Sequence, residues 1–230
     1  MDGSERTKVV IIGGGIVGCA IAWKLAKYPL DVTLVEKQPD LAMETTKANS
    51  AILHAGFAAK PGTLKAKYNV RGLALYRQWE AALGLEIESV GSLVVARETA
   101  EKEQLAELLA WGEANGVPDL ALLDREAVLA LEPALSPDIA GALWAPGAAV
   151  IWPFGAALAF AENAVINGAR VLTNCEVRAI ATEAGRVTGV DTSRGFFPAD
   201  LVVNAAGVRA DEISRLAGDD SFTITPRKGE

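Results

Sequence analysis

Residues 9–18 read VVIIGGGIVG, and this run constrains the fold more than any other stretch. Lys8–Ile12 is short, largely β-branched and bounded by glycine, which predicts a strand buried on both faces. Ile16–Lys27 carries apolar residues at helical spacing until Pro29 stops it, and Val32–Val35 predicts a second strand. Strand, glycine turn, helix and strand within about 30 residues make one βαβ unit. Gly13, Gly15 and Gly18 fit G-x-G-x-x-G. In that pattern the first glycine makes the tight turn and the second lets the backbone approach a pyrophosphate. The third lets helix and strand pack closely. The helix N-terminus adds N–H donors and a partial positive charge. Glu36, at the end of the second strand, is placed to accept hydrogen bonds from ribose hydroxyls and to repel a 2'-phosphate. The run therefore predicts a site for a dinucleotide with a free adenosine ribose. Its alternative is a tight turn that holds no ligand, and nothing in the pattern separates a nicotinamide from a flavin.

The chain has 230 residues, 50% hydrophobic, with a net charge of −7. That material suits a globular core, and the acidic balance argues against nucleic acid or an anionic membrane surface as partner. Cys19 and Cys175 are too few and too far apart for a disulfide scaffold or a metal site, so no metal is expected and a reducing, cytoplasmic setting is the simplest reading. The polar start MDGSERTK shows no secretory signal. Residues 141–161 carry no charge and match the length of a bilayer span, about 20 apolar residues. Pro146, Pro153 and the glycines between cut this run, which predicts two short strands and the start of a helix, all buried. No transmembrane span is expected, and peripheral membrane association stays open.

Residues 41–63 lack a period, and so long a connection is more often functional than idle. Helices are predicted at Leu64–Leu83, Ala100–Asn115, Arg125–Leu131 and Phe154–Asn167, the last capped by Gly168. Strands are predicted at Ser92–Ala96, Val171–Val177, Arg186–Asp191 and Leu201–Asn204. The final FTITPRKGE reads as a strand just begun, so the sequence reads as a piece of a longer protein.

Four stretches carry a family likeness. They are VVIIGGGIVGCAIAWKLA with Glu36; TTKANSAILHAGF leading into PGTLKAKYNVRG; FGAALAFAENAVINGARVL; and LVVNAAGVRADEIS followed by ITPRKGE. With them the chain resembles the D-amino-acid-oxidase-like superfamily of FAD-dependent oxidoreductases. Within it, the chain is most similar to glycerol-3-phosphate dehydrogenase-like and L-2-hydroxyglutarate oxidase-like proteins. The resemblance implies an α/β fold: a Rossmann-like FAD-binding domain of the glutathione-reductase type with an inserted, here incomplete, α+β substrate domain. It implies FAD-binding parts at 1–77 and 148–218, and substrate-domain parts at 78–147 and 219–230.

The resemblance also assigns residues. Gly13, Gly15, Ile16, Val17 and Gly18 would surround the pyrophosphate, with Glu36 and Lys37 at the adenosine end. Thr45, Thr46, Asn49 and Ser50 would run along the cofactor towards the flavin ring. His54, the only histidine, would lie near the isoalloxazine as a candidate for catalysis or proton relay; some distant relatives bond a histidine here to the flavin. Val177 would meet the adenine through its backbone, and Ala206 and Gly207 would permit close approach. Arg227 and Lys228 would stand where a substrate-domain strand begins, able to receive a carboxylate or phosphate, or else be a solvated charge pair. One departure concerns IWPFG at 151–155: Trp152 and Phe154 stand where related chains often have polar or acidic residues, which loosens any transfer of substrate identity.

The function so implied is removal of a hydride from a small anionic hydroxy substrate, glycerol 3-phosphate or a 2-hydroxy acid such as L-2-hydroxyglutarate, with electrons passed to an unnamed acceptor. The alternatives are an amine or amino-acid oxidase on the same scaffold, or an FAD-holding fragment or subunit that is inactive without a partner.

Overall fold

The computed structural model of the chain describes residues 6–227. The β-branched N-terminal run forms β1 (Lys8–Ile12), the glycine turn leads into α1 (Ile16–Leu25), and β2 (Asp31–Val35) follows. Next come β3 (Ile52–Leu53), α2 (Leu64–Leu83), β4 (Ile87–Glu88), β5 (Ser92–Ala96), α3 (Lys102–Ala114), β6 (Ala121–Leu123), α4 (Arg125–Leu131), β7 (Gly141–Ala145) and β8 (Ala149–Ile151). The remainder holds α5 (Pro153–Ile166), β9 (Arg170–Leu172), β10 (Val177–Glu183), β11 (Arg186–Thr192), β12 (Gly195–Pro198), β13 (Leu201–Asn204) and α6 (Ala210–Leu216). The chain divides into two units: Met1–Ser50 with Pro153–Glu230, and Ala51–Trp152.

The first unit is an α/β, Rossmann-like body on a four-stranded parallel sheet in the order β13-β1-β2-β9. Its strands alternate between two covered faces, which is why β1 reads as a continuous apolar run. Val10 and Ile12 pack with Val35, Val190 and Ala199, so the antiparallel sheet β10-β11-β12 covers one face. Val9 and Ile11, equally buried, point the other way. The helices α1 and α5 pack together and against β1, β2 and β9, with Trp23 on Phe160 at a ring separation of 5.2 Å.

Register sets the working edge of this sheet. Ile12 lies opposite both Val35 and Asn204, so β1, β2 and β13 finish level. The residues that follow leave side by side: Gly13 N–H donates to Val35 O at 2.9 Å and Ala205 N–H to Ile12 O at 2.9 Å.

Three expectations need correction. Val171–Val177 is not one strand: β9 ends at Leu172, Asn174 takes a left-handed φ of 50°, and Val177 opens β10 in the other sheet. Residues 222–227 lie outside any strand, because Ile224 N–H is drawn instead to the Asp211 carboxylate at 3.3 Å. The run 141–161 does fold as two strands and a helix start, yet it is not wholly buried, since Trp152 is 53% exposed. Among the described residues no helix is long and apolar enough to cross a membrane.

The second unit carries two antiparallel three-stranded sheets, β3-β8-β4 and β5-β7-β6. Phe57, Leu105, Val117 and Leu143 share one core cluster, and Val128, Ile139 and Ala142 another. Helix α2 matches its predicted span because both ends are signalled locally. Thr63 Oγ1 accepts Ala66 N–H at 3.2 Å, and Gly84 closes the helix at φ 62°.

Candidate functional site

At the carboxyl edge of the parallel sheet the first unit encloses a cavity of about 390 Å³, within the size range of small-molecule sites. Its floor is the end of β1 and the glycine turn. One wall is Glu36 and Lys37 with Met43–Thr46; the other is Cys175–Arg178, and Ala205–Arg209 with α6 closes it.

The glycines of the turn answer to different demands. Gly13 has φ 109°, and a Cβ there would lie 2.5 Å from Ala205 O. Gly14 is crowded by the Leu41 and Glu36 side chains, and a Cβ at Gly18 would strike the Gly13 carbonyl oxygen. Gly13 and Gly18, which meet backbone, are required by the fold, while Gly14 is hemmed in by side chains alone. Gly15 is not: its φ is −75°, a value any residue adopts, and a Cβ there would meet only Thr46 Oγ1, at 3.2 Å. Gly15 lines the cavity, so what its missing side chain keeps clear is cavity space.

Glu36 is buried, 8% exposed, at the foot of this space. Its Oε2 accepts Gly14 N–H at 2.7 Å and its Oε1 accepts Gln38 N–H at 2.8 Å. These bonds fix the carboxylate against the glycine turn, and each oxygen retains acceptor capacity for a ribose hydroxyl. Below the turn, Cys19 donates from Sγ to Gly14 O at 3.4 Å. Burial, with the Glu36 charge nearby, pushes its thiol from the ordinary 9.0 up to about 12. Thr46 Oγ1 accepts Ile16 N–H at 3.0 Å, bringing a hydroxyl and the N-terminus of α1 to one point. A hydroxyl and helix N–H groups beside an open glycine suit a pyrophosphate, and an acid at the adjacent strand end suits a ribose. The residues present therefore fit the adenosine and pyrophosphate half of a dinucleotide.

Of the residues predicted from sequence, Gly13, Gly15, Glu36, Lys37, Thr45, Thr46, Val177, Ala206 and Gly207 line this cavity together. Gly18 sits beneath it in packing, and Ile16 acts through its N–H to Thr46. Val17 is 59% exposed away from the lining, and Asn49 ties its own turn by donating to Thr46 O at 2.6 Å. Ser50 and Arg227 are exposed, and Lys228 lies outside the described residues. His54 belongs to the second unit, exposed at the end of β3.

Other lining residues escaped the sequence reading. Arg209, Glu212, Ile213 and Leu216 stand at positions i, i+3, i+4 and i+7, so one face of α6 and the turn before it forms a wall. That spacing was visible in VRADEISRL. Cys175 and Arg178 had no such signal. They enter because Cys175 N–H donates to Glu36 O at 2.8 Å and turns the chain past the acid. Within the Glu36–Thr46 wall, Lys37 pairs with Glu44 at 3.7 Å.

The sequence profile of the family described as FAD dependent oxidoreductase, DAO, matches residues 8–230. Glycerol 3-phosphate dehydrogenase of Caloramator mitchellensis is 41% identical over 222 residues, covering 96% of this chain and 46% of that protein. The mitochondrial L-2-hydroxyglutarate dehydrogenase of Homo sapiens is 34% identical over 236 residues, covering 96% and 50%. A solved structure of dithionite-reduced L-α-glycerophosphate oxidase from Mycoplasma pneumoniae with FAD bound superposes with a TM-score of 0.88 at 37% identity, covering 95% of this chain and 59% of that one. The chain thus spans about half the length of the curated relatives it matches. The profile match runs through both units rather than the glycine turn alone, and the chain belongs to the DAO family of FAD-dependent oxidoreductases.

Proposed function

We propose that the cavity at the sheet edge holds the adenosine and pyrophosphate half of FAD. The protein to which this chain belongs is then an FAD-dependent dehydrogenase or oxidase acting on a small anionic hydroxy substrate, glycerol 3-phosphate or a 2-hydroxy acid such as L-2-hydroxyglutarate. The observation that carries the cofactor reading is Gly15, a glycine that the backbone does not require and that faces the cavity beside Thr46. The likeness to glycerol 3-phosphate and L-2-hydroxyglutarate enzymes supports the substrate class.

In this reading Glu36 receives the ribose hydroxyls, Thr46 and the N-terminus of α1 meet the pyrophosphate, and Val177 with Ala206 and Gly207 flanks the adenosine. Thr45, Asn49 and Ser50 belong to the segment leading towards the ring, and His54 lies at the ring end. Residues 1–77 and 148–218 form the FAD-binding domain, with 78–147 and 219–230 in the substrate domain. Arg227 belongs to the substrate end. Bound flavin supplies a two-electron acceptor for the substrate's C–H bond, and the protein fixes the donor carbon and excludes water.

The test uses the full-length protein. Purification with the yellow absorbance of oxidised flavin, and its anaerobic bleaching by glycerol 3-phosphate or L-2-hydroxyglutarate, are the expected results. A colourless protein that binds NAD sinks the cofactor assignment. Bleaching only by amines or amino acids replaces the substrate class.

A further inference from the structure

Within the first unit, β10 breaks the alternation of its side chains at the point where it meets the cavity. Val177 stands opposite Thr192 and Ala179 opposite Asp191, so β10 advances two residues while β11 advances one. Arg178 is the extra residue of a β-bulge, a device that re-aims a side chain. Val177 and Ile180, three apart, pack on the same core as Val10, Ile12 and Val35. Val177 and Arg178, adjacent in sequence, both line the cavity, although a regular strand sends neighbours to opposite faces. The chain entering the bulge is fixed: Ser193 N–H donates to Glu176 O at 2.8 Å, and Glu176 N–H donates to Ser193 Oγ at 3.0 Å.

Sheet pairing does not call for the extra residue. Without it, Val177 and Ile180 would stand two apart and face the core by ordinary alternation. Nor does Arg178 balance an acid. Of the cations lining the cavity, Lys37 pairs with Glu44 at 3.7 Å and Arg209 with Glu212 at 3.4 Å, whereas Arg178 has no ion pair among the described residues. Its place along the cavity follows from the path of the chain. Thr46 and the N-terminus of α1 mark the pyrophosphate end, and Glu36 marks the ribose. Cys175 N–H donates to Glu36 O at 2.8 Å and carries the chain past the acid, towards Val177 and Arg178. The base, attached to the ribose, falls at that end. Helix α6 packs on β10 and adds Ile213 and Leu216 to the lining.

We infer that Arg178 is a cofactor-recognition residue, turned by the β-bulge into the cavity so that its guanidinium covers the adenine of FAD. This rests on the assignment of the cavity to the adenosine half of FAD. A guanidinium is a flat, delocalised cation that stacks on nucleobases, whereas an ammonium of equal charge has no plane to offer.

The experiment uses full-length protein with its flavin bound and compares wild type, Arg178→Ala and Arg178→Lys. Fluorescence of flavin released on dilution gives the Kd for FAD, and displacement by ADP, which has the adenine without the flavin, reads the nucleotide end alone. Arg178→Ala should weaken FAD and ADP by the same factor, about threefold to thirtyfold. Arg178→Lys should lie nearer to Ala than to wild type. Arg178 is exposed, so neither substitution disturbs the core, and thermal unfolding of flavin-free protein should match wild type. Wild-type affinity in Arg178→Ala overturns the inference. So does wild-type affinity in Arg178→Lys, which would make the residue a plain charge, and so does a loss seen with FAD but not with ADP. A wild-type protein that holds neither FAD nor ADP fails the cofactor reading itself, an outcome distinct from all three.

Discussion

Gly18 packs so closely on Gly13 that a Cβ at Gly18 would collide with the Gly13 carbonyl oxygen, whereas a Cβ at Gly15 would meet only Thr46 Oγ1, at 3.2 Å. Glycines of one motif therefore separate into those the fold needs and one that the cavity needs. Gly18→Ala must push α1 off the turn, and overpacking of this kind costs about 1–3 kcal/mol. Gly13→Ala adds the strain of φ 109° to a clash with Ala205. Gly15→Ala should keep the wild-type unfolding midpoint and lose flavin. Denaturant titration beside flavin content distinguishes the three, and a Gly15→Ala protein that keeps its flavin at full occupancy contradicts the assignment of the cavity.

Glu36 serves the fold and, in the proposed reading, the cofactor as well, and two substitutions separate the two roles. Its carboxylate accepts Gly14 N–H at 2.7 Å and Gln38 N–H at 2.8 Å. Glu36→Ala strands both donors, at about 1–3 kcal/mol for a buried group left without its partner. Glu36→Gln keeps the shape but turns an NH2 towards one of them, so it should destabilise less while still weakening the grip on ribose. Both variants should release flavin on dialysis that wild type withstands, with thermal unfolding ranking wild type, Gln, Ala.

The glycine-turn side of the cavity was legible because each of its parts is local. VVIIGGGIVG carries its strand, turn and helix within itself, and Glu36 falls at the end of the next β-branched run. Helix α2 was equally legible, with Thr63 at one end and Gly84 at the other. Of the sheet β10-β11-β12 only β11 was, as the strand predicted at Arg186–Asp191. Its first turn is Ala184–Gly185 at φ 50° and 77°, a hairpin geometry normally signalled by Asn-Gly or Asp-Gly, and alanine gives no such cue. The strands β3 and β4, two residues each, are too short to show any period. The two hydrogen bonds of Asn115 reach 59 and 56 residues back along the chain, which no spacing rule reaches.

Cys19 gives a prediction with a definite pH window. Burial, then the Glu36 charge, raises its thiol from 9.0 to about 12, so folding favours the protonated form. Below pH 9.0 the thiol is neutral in folded and unfolded chains alike and this stability is fully present. As pH rises from 9.0 towards 12 the unfolded chain ionises first, and the stability is lost. Cys19→Ala should flatten that part of the stability profile. In wild type, alkylation of Cys19 should proceed no faster than global unfolding, measured by peptide mapping against hydrogen exchange. Rapid modification of the native protein contradicts a thiol shut beneath the glycine turn.

Asp211 ties the end of the first unit to α6, and its charge is what holds the tie. Its Oδ2 accepts Arg215 Nη2–H at 2.6 Å and Ile224 N–H at 3.3 Å. Burial works against the carboxylate, but the Ile224 N–H and the Arg215 guanidinium outweigh it and hold the group below its ordinary 3.8. The sign is that of a depressed acid: the stabilisation is present above pH 3.8 and is lost as pH falls through the lower folded value. Asp211→Asn keeps the shape and removes the charge, so it should exchange the Ile224 amide faster at neutral pH and lose the acid dependence that wild type shows at that amide. The consequence reaches the cavity, because Glu212, Ile213 and Leu216 on the same helix line it. Flavin affinity should therefore fall modestly in Asp211→Asn, in step with exchange at Ile224. If exchange rises while affinity holds, the α6 wall does not depend on its anchor.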